Sequence, residues 1–207
     1  LVGFSVLFTG MMMMGESVEP LKDSPSFSHI LTAFNNPLVG VLAGAIITAV
    51  IQSSAASIGI LQSLSITGHI TYGMAIPIIM GQNIGTCVTA LISSIGVNRS
   101  ARRVAVIHIA FNCIGTIVLL PILYLVNAFV DFVFMDWTIS YAGIALVHTI
   151  FNVVVTFLLL PFSKLLEKLA YLVIKQLPEE TQKEQLILPG EILLNTPAVA
   201  IEACRTS

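Results

Sequence analysis

Hydrophobic and polar positions alternate in blocks along this chain, not residue by residue. Leu1 to Met14 is apolar and ends in four consecutive methionines, the pattern of the back part of a spanning helix. Gly15 to Asn36 is more polar and carries Glu16, Glu19 and Asp23. Within it, Asp23-Ser24-Pro25 predicts a turn into a short helix, with Ser24 as N-cap and Pro25 at the first helical position. Phe27, Leu31 and Phe34 give that helix an apolar face suited to a membrane interface. Pro37 to Ile51 is a run of about 15 apolar residues, short of the roughly 20 that a full span needs. Gln52-Ser53-Ser54-Ala55-Ala56-Ser57 interrupts it, and a second short apolar piece ends near Thr67. Two short arms around a polar tip predict a re-entrant hairpin over 37–67.

Ile70 to Met80 is another short apolar arm and contains Pro77. Gly81-Gln82-Asn83-Ile84-Gly85-Thr86 follows, and Cys87 to Ile95 resumes the apolar run. This predicts a discontinuous helix over 70–96, broken at the glycines. Val97 to Arg103 reads as a basic loop, and spans are expected over 104–126 and 138–160. From Ser163 the pattern becomes amphipathic, with Lys164, Lys168 and Lys175. The fold class expected is therefore an all-α integral membrane protein. It combines a re-entrant hairpin, a discontinuous helix and full spans over 1–162, with a cytoplasmic linker over 163–207.

Composition agrees: 56% of residues are hydrophobic and only 10% are charged, against about 25% charged in soluble domains. The net charge of −2 and the absence of a large basic cluster argue against a nucleic-acid partner. Cys87, Cys113 and Cys204 are odd in number and widely spaced, so they suggest neither a disulfide framework nor a metal site. The chain opens inside an apolar segment without an initiator methionine, and it reads as a piece of a longer protein. Charge also sets orientation. Arg99, Arg102, Arg103 and the Lys164 end are expected in the cytoplasm, with Asp131 outside. The hairpin then enters from outside, and the first helix begins inside.

No Asp, Glu, Lys or Arg occurs from Ser24 to Asn98. Polar groups in such surroundings need partners, either neighbouring helices or a solute. Half-helix N-termini suit an anion, and unwound carbonyls and helix C-termini suit sodium. Gln52, Ser53, Ser54, Ser57, Gln82, Asn83 and Thr86 are the candidate substrate and ion ligands, with sodium assigned to Ser53, Ser54, Asn83 and Thr86. The competing reading makes the same hydroxyls interhelical glue. His108-Ile109-Ala110-Phe111-Asn112 recurs as His148-Thr149-Ile150-Phe151-Asn152, and a proline follows each copy, Pro121 and Pro161. His108, Asn112, His148 and Asn152 are candidate cavity-lining residues, although a membrane histidine is more often simply packed. An intramembrane serine protease is disfavoured, because Ser53 and Ser54 have no identifiable base and no Gly-x-Ser-x-Gly elbow exists. The chain is expected not to be an enzyme and to need no cofactor.

Taken together, Pro37–Gly44, the Gln52-Ser53-Ser54 tip, the Gly81-x-Asn83-Ile84-Gly85-Thr86 stretch and the Asn98–Arg103 segment with His108-x-x-Phe111-Asn112 resemble the type II sodium–phosphate cotransporter family. The resemblance covers roughly residues 1–160. It implies one half of an inverted-repeat transporter, with a missing first repeat as partner. It also implies sodium-coupled symport of inorganic phosphate across the cell membrane by alternating access, with Na+ as coupling ion. Binding maps onto Gln52, Ser53 and Ser54, and further onto Asn83 and Thr86. Two departures stand out: Ala55 where the family tip commonly carries a third serine, and Gln82 where alanine is common. The tail from Leu188 resembles a linker into a helical domain of the phosphate-uptake-regulator type. A same-fold transporter of another oxyanion and a non-transporting phosphate-sensing module are the alternatives.

Overall fold

The computed structural model describes residues 1–21 and 23–175. The expected tether and tail after Lys175, with Cys204, lie outside the described residues. Eight α-helices make up the described chain: α1 (Val2–Val18), α2 (Pro25–Thr32), α3 (Pro37–Ile51), α4 (Ser54–Ser65), α5 (Tyr72–Ser93), α6 (Arg99–Val130), α7 (Tyr141–Leu159) and α8 (Ser163–Val173). Among the described residues, three helical stretches are long and apolar enough to cross a membrane: Tyr72–Ser93, Arg99–Val130 and Tyr141–Val173.

Local chemistry sets most helix starts. Asn36 accepts from the Leu38 N–H at 3.0 Å, and Pro37 fills the first position of α3. Thr71, Asn98 and Ser140 cap α5, α6 and α7 in the same way. Ser24 accepts from the Phe27 N–H ahead of α2, as its position predicts. The α3–α4 reversal takes only two residues. Gln52 adopts the left-handed conformation at φ 58° and closes α3, with its N–H on the Thr48 carbonyl. Ser53 is extended and its side chain caps α4 by accepting from the Ala56 N–H at 3.3 Å.

Helix α5 is the central element, buried without interruption from Ala75 to Asn83. Helix α3 lies parallel against it at backbone distance. A Cβ on Gly81 would collide with the Val41 carbonyl, and one on Gly44 with the Ile78 carbonyl. A Cβ on Gly85 would come within 2.7 Å of the Thr48 Cβ. Gly40, Gly44 and Thr48 thus face Pro77, Gly81 and Gly85, each series spaced by four. That is the small-residue pattern that lets membrane helices approach closely. Helix α4 runs back antiparallel to α5, since Ser57 meets Gln82 while Leu61 packs with Ile78.

The expected break at Gly81–Thr86 is absent, because α5 is one continuous helix of 22 residues. The glycines serve contact with α3 and not unwinding. Pro77 does remove a helical donor, which would strand the Gly73 carbonyl, but the Tyr124 hydroxyl donates to that carbonyl at 3.1 Å. Asn83 and Thr86 bond back to Ile79 and Asn83 carbonyls within the helix. Other boundaries also move. The basic segment from Arg99 is the first turn of α6, not a loop, and α6 runs on to Val130. Helix α7 starts later than Thr138, because Thr138 and Ile139 are extended beside Thr71 and Ile70.

Those extended residues define one end of the bundle. The Tyr72 N–H donates to the Trp137 carbonyl at 3.0 Å and the Ile139 N–H to the Ile70 carbonyl at 2.9 Å. Gln62 reaches the Tyr141 carbonyl at the same end. At the opposite end, Arg99 donates to the Lys175 carbonyl at 2.6 Å and Arg103 to that of Ile174 at 3.2 Å. The Arg103 guanidinium also sits 4.4 Å over the Tyr171 ring. The basic residues of α6 and α8 therefore share an end, and Asp131 and Asp136 lie at the other.

Candidate functional site

The hairpin meets α5 through a buried, uncharged hydrogen-bonded cluster. The hydroxyls of Thr48 and Ser57 are 2.7 Å apart, and both residues are essentially inaccessible. The Gln82 side-chain nitrogen donates to the Ser57 hydroxyl at 2.9 Å and to its carbonyl at 3.0 Å. The other atom of that amide, Gln82 Oε1, is buried and has no partner. Such an oxygen loses its water on folding and gains nothing in return. Gln82 also lines a small cavity of about 60 Å³ together with Ser57, Leu61 and Ile78. Thr48 was not singled out by sequence reasoning. The signal was there, since it continues the Gly40, Gly44 series by one further step.

Gln52 is exposed at the tip, and Ser53 and Ser54 are partly buried beside it. The tip is therefore shorter than expected: Ser54 to Ser57 already belong to the first turn of α4. The positive end of the α4 dipole points out of the tip. Ala55 is exposed there.

A second polar seam runs along α5 on the side of α6 and α7. Asn83 is buried; its side-chain nitrogen donates to the Ile79 carbonyl at 2.9 Å, and its oxygen accepts from Asn152 at 3.3 Å. One turn further, the Cys87 sulfur accepts from the Asn112 side chain at 3.4 Å. Each of these asparagines also donates to the carbonyl of the histidine four residues before it, at 3.1 Å for His108 and 2.8 Å for His148. The two copies of the repeat thus use the same residue in the same way, on neighbouring turns of α5. His108 is exposed and His148 is half-buried. Thr86 donates to the Asn83 carbonyl at 2.6 Å.

The structure brings Ser57 to Gln82 and Asn83 to Asn152. No hydrogen bond joins Ser53 or Ser54 to Asn83 or Thr86 among the described residues. Among the same residues, no group of three His, Cys, Asp or Glu side chains stands together to hold a metal. The donor set at the hairpin is neutral oxygen from hydroxyl, amide and carbonyl, which suits a weakly held hard cation or an anion with its counter-cation.

The family profile described as Na+/Pi-cotransporter matches residues 6–157. The uncharacterized protein YqeW of Bacillus subtilis is 31% identical over 131 residues, covering 63% of this chain and 43% of that protein. Sodium-dependent phosphate transport protein 2A of Rattus norvegicus is 39% identical over 94 residues, covering 42% of this chain and 15% of that protein. The putative inorganic phosphate export protein YjbB of Escherichia coli is 24% identical over 125 residues, covering 60% and 23%. The chain thus spans less than half the length of these curated relatives. No solved structure matches it significantly.

Proposed function

The chain belongs to the Na+/Pi-cotransporter family, and from that premise we propose that it forms one half of the core of a sodium-coupled symporter of inorganic phosphate. It is a multi-pass protein of the plasma membrane. In this reading, α3 and α4 enter the bilayer from the Asp131 side and return to it. Helix α3 has 15 residues, about 22 Å at 1.5 Å per residue, against roughly 30 Å of hydrocarbon. Its turn therefore ends inside the membrane, where irregular backbone needs protein or a water-filled cavity around it. The remaining length of the transporter supplies a first repeat, which closes the other side of that cavity.

The observation that carries the reading is the buried cluster of Thr48, Ser57 and Gln82, with its unpartnered Gln82 oxygen. It lies behind a tip at which a helix N-terminus is presented. Phosphate at the tip would meet backbone N–H groups and the Ser53 and Ser54 hydroxyls. Sodium would be held by neutral oxygens and would balance the anion's charge. No cofactor enters this mechanism, and alternating access moves the two halves around the site.

Uptake of labelled phosphate by the full-length protein in proteoliposomes tests this. An inward sodium gradient should drive accumulation, and its collapse should abolish it. Uptake indifferent to sodium would rule out coupling. The printed name of the YjbB relative motivates a second reading, phosphate export. Preloaded vesicles that lose phosphate without a sodium gradient would favour it.

A further inference from the structure

The amide orientations around Asn83 are set from both ends. A backbone carbonyl only accepts, so the Asn152 atom facing the His148 carbonyl is its nitrogen. That same nitrogen faces Asn83, so Asn83 must present its oxygen to α7. The other atom of Asn83 faces the Ile79 carbonyl and must be nitrogen. The chain of bonds therefore admits one arrangement: Asn152 donates to Asn83 Oδ1, and Asn83 Nδ2 donates to Ile79. One lone pair of Asn83 Oδ1 is taken by Asn152, and its second has a fixed direction.

We propose that Asn152 is a positioning residue that aims the Asn83 carboxamide oxygen at the coupling cation. The inference rests on the transport reading above and takes Asn83, a sodium candidate from the sequence, as one of the neutral oxygens of that reading. Asn83 is 6% exposed and cannot reorient through water. Without Asn152, its amide loses the one side-chain donor that fixes the oxygen's bearing. Asn112 makes the corresponding bond to Cys87, whose sulfur is a weak acceptor for either partner. Of the two repeat asparagines, Asn152 is thus the one joined to a candidate ligand.

The test uses the full-length protein in proteoliposomes and compares wild type with Asn152→Leu, which keeps the volume and removes the donor. The half-saturating sodium concentration should rise about three- to tenfold, the factor one hydrogen bond of ordinary strength implies. The maximal rate should stay within about twofold of wild type on the same scale. Asn152→Thr, whose hydroxyl bonds within α7 and cannot reach Asn83, should behave alike if the leucine variant does not fold. In an Asn83→Ser background, Asn152→Leu should add no further shift, because the two act through one group. Sodium dependence equal to wild type, or a loss confined to maximal rate, overturns the assignment. A wild type without sodium-driven uptake overturns the functional reading and this inference with it.

Discussion

The Gln82 side chain donates to Ser57 at 2.9 Å, across the seam between α5 and the returning arm of the hairpin. One amide thereby ties two elements that are 25 residues apart in sequence. It also leaves its own oxygen unpaired. The same residue ties the hairpin to α5 and carries a buried oxygen without a partner, which the proposed mechanism would use as a ligand.

Replacing Gln82 separates those roles. Gln82→Leu removes two hydrogen bonds but also one buried orphan acceptor. Stability should therefore change by less than about 1 kcal/mol, since the two effects oppose each other. Sodium-driven uptake should fall by about tenfold or more, the scale of losing a bond to a charged ligand. Thermal midpoint and uptake on one preparation check both. A large drop in midpoint would mean the residue is chiefly structural.

The turn at Gln52 makes a different prediction. A non-glycine residue at φ 58° costs about 1 kcal/mol. Gln52→Gly should leave the melting temperature unchanged or slightly raised, yet abolish most uptake. Gln52→Val should lower stability by about 1–2 kcal/mol. Full uptake by the glycine variant would remove Gln52 from the site.

Close packing of α3 on α5 can be probed with a single methyl group. Gly81→Ala pushes a Cβ into the Val41 carbonyl, whereas Gly10→Ala meets nothing within 4 Å. The first should cost about 1–3 kcal/mol or more, and the second should be neutral or slightly stabilising. The yield and thermal midpoint of purified protein report the difference. Equal behaviour would show that α3 and α5 are not in backbone contact.

Membrane topology is open to labelling. Asn35→Cys and His69→Cys place thiols at the two exposed ends of the hairpin. An impermeant maleimide should reach both from the face that also labels Asp136→Cys. Lys168→Cys should react only from the opposite face. Labelling of positions 35 and 69 from opposite sides would mean that the hairpin crosses the membrane.

The basic end should be indifferent to substrate. Arg99→Gln loses a bond to the Lys175 carbonyl, just beyond the end of α8. The half-saturating phosphate concentration should remain within about twofold of wild type, as expected of a charge that sets topology. A larger shift would bring that end of the protein into the binding mechanism.

Much of this was legible in the sequence because it is local. Asn36-Pro37, Ser24 and Asn98 announce helix starts through their own side chains. The two-arm hairpin follows from run lengths. The break in α5 was misread because glycine has two uses. Gly81 and Gly85 carry the signal of a turn, yet they are spaced as a contact face, and only the partner α3 decides between the two. Pro77 misleads similarly, since its cost is met by Tyr124, which is far away in the chain. The histidine–asparagine repeat was visible, but its partners on α5 were not. Hydrogen-bond partners between helices depend on rotation and register, which one helix's sequence does not encode.

The contact between α3 and α5 has a mechanical consequence. It runs from Gly40 to Ala49 with backbone against backbone, so little side-chain slack exists along it. Two rods joined in this way transmit a push and do not absorb it. Helix α4 is fastened differently, through side chains: the polar bonds of Ser57 and Gln62 and the apolar packing of Leu61, with a turn of two residues at its start. Along α3 and α5 the unit is therefore a single double rod, and the change of direction is confined to Gln52 and Ser53, where a shift of α4 relative to that rod would have to be taken up.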